Sequence, residues 1–207
     1  MRKLLSHARK CLFLALLLCC CACVSEPSAQ EQERTDAGTK GVEFAMERQA
    51  RIRIAGLHRL QGAALLHSLQ VLISCGTNAR AAAIEALAAP QPEVRAGLAY
   101  VLGFIGGEDS IVALKSRLTD ADAGVRYESA AALLQLGNAA GMPTLIDLLG
   151  HADARMRLKA MECVQERAGT DFGFRFDGTE TERRAACERV RLWWHSAVGP
   201  VTAGRTP

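Results

Sequence analysis

The stretch PEVRAGLAYVLGFIG, from Pro92 to Gly106, decides the fold because its pattern returns twice at a fixed spacing. The chain reads AGVRYESAAALLQLG from Ala123 to Gly137, and ARMRLKAMECVQERA from Ala154 to Ala168, so the three copies begin at equal intervals. In each copy, small or apolar residues fall at i, i+4, i+7 and i+8, which together form one face of an α-helix. One amphipathic helix that recurs at a constant interval predicts a repeat protein.

A shorter helix is predicted ahead of each copy, in the segments RAAAIEAL (80–87), IVALKSRL (111–118) and MPTLIDLL (142–149). The turns inside the pairs contain Pro, Gly and Asp, with Asp122 and Asp153 at N-cap positions. Each unit is therefore a helical hairpin. A single hairpin cannot bury its apolar faces, whereas stacked copies can, so the sequence predicts an all-α fold of the α-solenoid type.

A degenerate fourth copy lies upstream, with residues 42–57 as its first helix and Leu65 at the start of its second apolar stripe. The step from Leu65 to Val94 is slightly shorter than the step from Val94 to Val125, which predicts a shorter loop. We therefore expect about four hairpins, which cover residues 43–170.

These repeats resemble HEAT repeats, in particular the short HEAT-like repeats also found in phycobilin lyase subunits. The resemblance rests on the Asp-rich turn, on the pairs Val94-Arg95 and Val125-Arg126, and on an Ala/Leu run that ends in Gly. It implies a superhelix of antiparallel helix pairs whose inner face binds proteins, and hence a non-catalytic scaffold. The alternative that it implies is an accessory subunit of the lyase kind, which holds a tetrapyrrole or an enzyme partner.

One arginine recurs at the start of each second helix, as Arg95, Arg126 and Arg157. Such a ladder of cations could bind an acidic partner. Alternatively, each arginine could pair with an Asp of its own or the next repeat. Cys163 stands on the core stripe, where earlier copies have Val101 and Ala132, which predicts a small buried side chain.

The period breaks after Ala168, and residues 171–198 are expected to form a loop and a capping helix. Asp171-Phe172-Gly173-Phe174 resembles a C-terminal segment of bacterial HEAT-repeat proteins that precedes an Arg/Trp-rich helix. Thr179 and Glu182 are spaced as a capping box. Trp193 and Trp194 lie on or beside the apolar stripe, so they are predicted to cover the last repeat, or alternatively to form a surface patch for a partner. Residues 199–207 are predicted to be a disordered tail.

The N-terminus has the pattern of an export signal. A basic segment is followed by the apolar run CLFLALLLCCCAC, which is too short to span a bilayer comfortably and predicts a signal peptide over residues 1–22. The end of this run resembles a lipobox in which Cys23 becomes lipidated, with Cys21 as the rival. Secretory cleavage near Ala22 and an uncleaved anchor remain alternatives.

The polar residues 23–42 are predicted to be a disordered tether. We expect an exported protein that is lipid-anchored at the cell membrane or the outer membrane and faces the periplasm or the exterior.

The sequence offers no catalytic, cofactor or metal motif. No His or Cys pair outside the leader has zinc-ligand spacing. The formal charge is +3, but four of the cations lie before residue 23, so the rest carries about −1. Nucleic-acid binding, which requires a dense cationic surface, is therefore not expected. The expected partners are a protein and a membrane reached through the lipid.

Overall fold

The structure, a computed structural model, describes residues 29–198. The predicted signal peptide, Cys23 and the tail 199–207 lie outside the described residues. Within the described range the chain is helical and contains no strand. The α-helices are α1 (Ala29–Gly56), α2 (Gly62–Ser74), α3 (Arg80–Ala86), α4 (Pro92–Ile105), α5 (Glu108–Arg117), α6 (Ala123–Gln135), α7 (Met142–Leu148), α8 (Ala154–Ala168) and α9 (Glu180–Val198).

The predicted tether requires a correction, because residues 29–42 belong to α1 instead of being unstructured. No proline follows Pro27 in this segment, and its Ala, Gln, Glu, Arg and Lys residues are good helix formers. The chain divides between Glu43 and Phe44 into two units. In the second unit, the end of α1 contributes Ala50 to the core.

Four antiparallel hairpins follow in the second unit: the end of α1 with α2, α3 with α4, α5 with α6, and α7 with α8. Their second helices begin where the sequence predicted. The Asp122 carboxylate accepts a hydrogen bond from the Val125 N–H at 3.0 Å, and Asp153 accepts one from the Arg155 N–H at 2.8 Å. The helix that starts at Pro92 has no side-chain cap, and its proline occupies a position that needs no N–H donor.

The buried side chains form two clusters. The first joins the opening three hairpins and includes Leu72, Leu98 and Leu133, which are fully buried. The second joins α6, the fourth hairpin and α9 and includes Leu145 and Val164. Helix α6 contributes to both clusters, with Leu133 in the first and Ala130 in the second. It is therefore the element that links the two halves of the core.

Helix α9 packs against the fourth hairpin as a cap. Its capping box is formed, since the Thr179 N–H donates to the Glu182 carboxylate at 2.8 Å and the Glu182 N–H donates to the Thr179 hydroxyl at 3.3 Å. Ala186, Cys187 and Val190 are buried in the second cluster. These contacts cover the end of the solenoid.

The two tryptophans of α9 are partly buried and pack on the same cluster, together with Met156 at its edge. The Trp193 ring lies 5.5 Å from the Phe172 ring and 5.9 Å from the Trp194 ring, centroid to centroid. Neither indole N–H donates a hydrogen bond to another described residue. The indoles therefore contribute apolar contact area to the cap.

Candidate protein-binding groove and arginine ladder

A groove of about 480 Å³ runs across the second helices of the last three hairpins. We call it the second-helix groove. Helix α4 contributes Phe104, α6 contributes Ala131 and Leu134, and α8 contributes Cys163 and Arg167. The walls are mainly apolar, while Gln135, Glu166 and Arg167 supply polar groups. A concave surface with apolar walls and a few polar groups is the usual form of a binding site.

Two aromatic residues stand exposed on α4, and one of them, Phe104, lines this groove. Tyr100 and Phe104 are 40% and 49% exposed, and their ring centroids lie 4.9 Å apart. They are one helical turn apart and lie off the face that carries Val101 and Leu102 into the core. Large aromatic side chains left in water on a solenoid face are suited to contact a partner.

Between α6 and α8 the Tyr127 hydroxyl and the Cys163 thiol lie 3.3 Å apart, and the Lys159 ammonium lies 5.3 Å from the Tyr127 ring centroid. Burial is the main cause that raises the pKa of Cys163, and it also raises the pKa of Tyr127. The thiol is therefore protonated at neutral pH, which disfavours a nucleophilic role. Cys163 was predicted to be buried in the core, but it is only partly buried because it lines the groove.

A second hollow, of about 660 Å³, lies on the first helices, between α3 and α5. Its lining includes Ile84, Val112 and Arg117 and contains no aromatic residue. Arg117 is already engaged there, with its guanidinium 3.8 Å from the Asp120 carboxylate. The second-helix groove is the stronger candidate because an exposed aromatic ring, that of Phe104, lines it.

The arginine ladder is largely turned onto the protein's own acceptors. Arg95 forms a bidentate pair with Asp120 of the next hairpin, at 2.7 and 2.9 Å. Its third nitrogen, Nη1, donates to the carbonyls of Ala89 and Pro90 at 2.9 and 3.0 Å. The pair is nearly closed to water, since the Asp120 side chain is 5% exposed. Hydrogen bonding from Arg95 is the main cause that lowers the pKa of Asp120.

Arg157 repeats this arrangement with a different acceptor. Its Nη1 donates to the His151 and Ala152 carbonyls at 2.8 and 2.7 Å. Its other edge, Nε and Nη2, donates to the Phe176 carbonyl at 2.9 and 2.6 Å. With 7% exposure, this arginine is buried and fastens the C-terminal loop to the fourth hairpin.

Arg126 is held by one edge only. Its Nη1 donates to the Asp120 and Ala121 carbonyls at 2.7 and 3.0 Å. Among the described residues, none accepts a hydrogen bond from its Nε or Nη2. The three arginines therefore do not form a continuous row of free cations, because two of them are satisfied within the protein and the third is half satisfied.

The aromatic pair and the open edge of Arg126 were not identified from the sequence. A signal for the first was present, since Tyr100 and Phe104 occupy helix positions that face away from the apolar stripe. A signal for the second was the replacement of Asp120 by His151 at the equivalent position of the next repeat. The second signal becomes informative only when the repeats are aligned with one another.

Within residues 38–197, no group of three or more His, Cys, Asp or Glu side chains could hold a metal ion. None of the described helices is both long and apolar enough to cross a bilayer. The lipid attachment predicted at Cys23 lies outside the described residues.

Part of the chain is similar to a known family of repeats. The family model of HEAT repeats matches residues 59–134, a range that runs from the first hairpin to the end of α6. No curated protein matches the chain. The stacked hairpins form an all-α solenoid whose matched part is similar to HEAT repeats, and HEAT repeats commonly mediate protein–protein interaction. The fourth hairpin lies beyond the matched range and joins the solenoid through its regular repeat spacing and its packing.

Proposed function

We propose that this protein is a non-catalytic scaffold that binds a protein partner through the second-helix groove. The observation that carries the proposal is the exposed pair Tyr100 and Phe104 beside an apolar groove on a HEAT-repeat solenoid. Aromatic residues are enriched among the residues that contribute most to protein–protein affinity. The protonated thiol of Cys163 fits a contact surface better than a reactive centre.

We also propose that the scaffold works at the cell envelope, anchored by a lipid on Cys23. The support is the basic and then apolar N-terminal sequence and the Ala22-Cys23 pair at its end. Intact mass of the membrane-extracted protein tests this directly. We expect loss of residues 1–22 and added acyl mass, with release of Cys23→Ser from the membrane because the lipid holds the protein there. A Cys23→Ser variant that stays in the membrane at the wild-type mass contradicts the anchor.

Site-specific photo-crosslinking tests the groove. A photoreactive phenylalanine analogue replaces Phe104 in the native cells and, as the matched control, replaces Val112 on the first-helix face. Val112 is also exposed and apolar, at 62% exposure. We expect a discrete cross-linked species from position 104 that is absent from position 112.

A second arm uses charge. In this arm the photoreactive analogue replaces Tyr100. Phe104→Asp places a carboxylate in the groove and should abolish the cross-link formed from position 100, whereas Val112→Asp should leave that cross-link unchanged. Equal cross-linking from both faces, or none from position 104, contradicts the proposed surface.

A further inference from the structure

The three ladder arginines share one half of their geometry. In each, Nη1 donates to the carbonyls six and five residues earlier, at 2.7–3.0 Å. This clasp fixes the guanidinium in the same place at each hairpin. The remaining edge, Nε with Nη2, is thereby presented to the following turn of the chain.

What meets that edge differs among the three. For Arg95 it is the carboxylate of Asp120, and for Arg157 it is the carbonyl of Phe176. For Arg126 no described residue supplies an acceptor. Two positions in the same molecule therefore show that this edge binds an oxygen acceptor, and the third has the donors without the acceptor.

The reason is the residue at position 151. Asp120 accepts a hydrogen bond from the N–H two residues on, that of Asp122, at 3.0 Å. His151 does the same through Nδ1, which accepts from the Asp153 N–H at 3.1 Å. A neutral imidazole that accepts at Nδ1 carries its proton on Nε2. The histidine thus preserves the turn but replaces the acceptor needed by Arg126 with a donor.

A cavity of about 230 Å³ lies at this position. Arg126, Thr144 and His151 line it, so residues that carry a guanidinium, a hydroxyl and an imidazole surround one space. Gly150, which also lines it, leaves one wall without a side chain. We propose that this cavity is a docking site for a carboxylate on a protein partner, an Asp or Glu side chain that takes the place Asp120 fills one repeat earlier.

Asp147 also lines the cavity and is exposed. Its charge disfavours ligands that carry two negative charges and so favours a singly charged carboxylate over a phosphate. This inference rests on the proposed function in one respect, namely that a protein partner exists. It adds the chemistry by which that partner is recognised.

The test follows the Arg126 side-chain resonances of the ¹⁵N-labelled whole chain, assigned by their loss in Arg126→Lys. The probe is a short acetylated and amidated peptide with a single Asp, and the control peptide has Asn in its place. We expect a saturable shift of the Arg126 Nε–H signal with the Asp peptide, with a dissociation constant of millimolar order, as befits one partly exposed charge pair. The Asn peptide and inorganic phosphate at equal ionic strength should give no such shift.

His151→Asp supplies the missing acceptor from within. We expect it to raise the thermal midpoint and to abolish the shift caused by the Asp peptide, because the new carboxylate occupies the Arg126 edge. His151→Asn is the matched control, since its amide can keep the bond to the Asp153 N–H without adding a charge. It should leave peptide binding unchanged.

Several results overturn the inference. The first is an Arg126 Nε–H resonance that does not shift with the Asp peptide, or that shifts equally with the Asn peptide or with phosphate. The second is peptide binding that persists in His151→Asp, or a thermal midpoint that is lower in that variant. Binding that appears only in Asp147→Asn means that Asp147 is the internal acceptor and also overturns it. If the Arg126 resonance does not shift while position 104 still forms its cross-link, only the carboxylate site is refuted. Absent cross-links with a responsive Arg126 refute the proposed groove instead.

Discussion

The junction of α4 with α6 and the junction of α6 with α8 are equivalent in the repeat but differ in how they close. Helices α4 and α6 pack along their lengths, whereas α6 and α8 touch at few places. At the first junction Gly103 lies so close to α6 that a Cβ there would come within 2.9 Å of the Ala132 Cβ. At the second, Tyr127 and Cys163 meet through their side-chain tips.

The comparison shows that side-chain size sets the spacing of neighbouring repeats. Small residues bring α4 and α6 together and complete the first cluster. At this junction the ion pair of Arg95 with Asp120 is nearly closed to water. Larger residues hold α6 and α8 apart, and the second-helix groove lies in the space between them. At this junction the Nε and Nη2 atoms of Arg126 have no acceptor among the described residues. The two halves of the core should therefore be separable in stability.

The largest effect should come from truncation after Ala168, which removes α9. The second cluster would lose Ala186, Cys187 and Val190, all buried, and expose its apolar edge to water. We expect the amides of α7 and α8 to lose hydrogen-exchange protection while those of α4 and α6 keep theirs. A truncation after Val198 is the control and should change neither. Uniform loss of protection across α4–α8 would show that the two halves unfold as one unit.

The next effect concerns Arg157, which ties the cap loop to the fourth hairpin. Arg157→Ala leaves three carbonyl acceptors without their donor, and we expect a loss of about 3–5 kcal/mol in the free energy of unfolding. Denaturant melts followed by tryptophan emission measure it, because the only two tryptophans lie in the cap. Arg155→Ala is the control, since that side chain is exposed and has no partner among the described residues. Similar losses of unfolding free energy in both variants would show that the hydrogen bonds of Arg157 do not stabilise the fold.

Asp120 gives the closed junction a pH dependence. Its folded pKa is lowered, chiefly by Arg95, so its contribution is present above the unfolded value of about 3.9 and is lost as pH falls through the folded pKa. Asp120→Asn should cost about 2–3 kcal/mol at neutral pH. It should also flatten the decline in unfolding free energy below about pH 4. Glu162→Gln, on an exposed part of α8, is the control. An unchanged acid slope in Asp120→Asn would mean that the pair contributes nothing.

The smallest effect tests the close approach directly. Gly103→Ala should cost about 1–2 kcal/mol, because the new methyl meets the Ala132 backbone at 3.1 Å and cannot be accommodated by a side-chain movement. Gly97→Ala is matched in helix and burial, but its methyl would meet only the flexible Leu69 side chain, at 3.1 Å. It should cost less, as measured by the midpoint of urea unfolding. A larger loss at position 97 would contradict the spacing argument.

The fold was predictable because its information is local and repeated. The constant repeat spacing, the N-caps at Asp122 and Asp153 and the capping box at Thr179 each depend on a few neighbouring residues. The helical state of residues 29–42 was not predicted, because a polar segment without an apolar face gives no periodic signal.

The candidate site was harder to foresee. The partners of Arg157 and Arg95 lie 19 and 25 residues away in sequence, and one of them is a backbone carbonyl whose position no residue type encodes. The groove depends on the distance between α6 and α8. That distance results from packing and cannot be predicted from the sequence of either helix alone.

The arginine clasp restricts where residues can be inserted into this chain or deleted from it. Each clasp requires two carbonyls five and six residues before the arginine. A residue inserted into the turn inside a hairpin would therefore displace both acceptors. The loop between the first and second hairpins contains no such clasp, and it lies within the shortened step from Leu65 to Val94. We expect insertions and deletions to be tolerated between hairpins and rejected within them, which makes the inter-hairpin loops the places to graft new sequence.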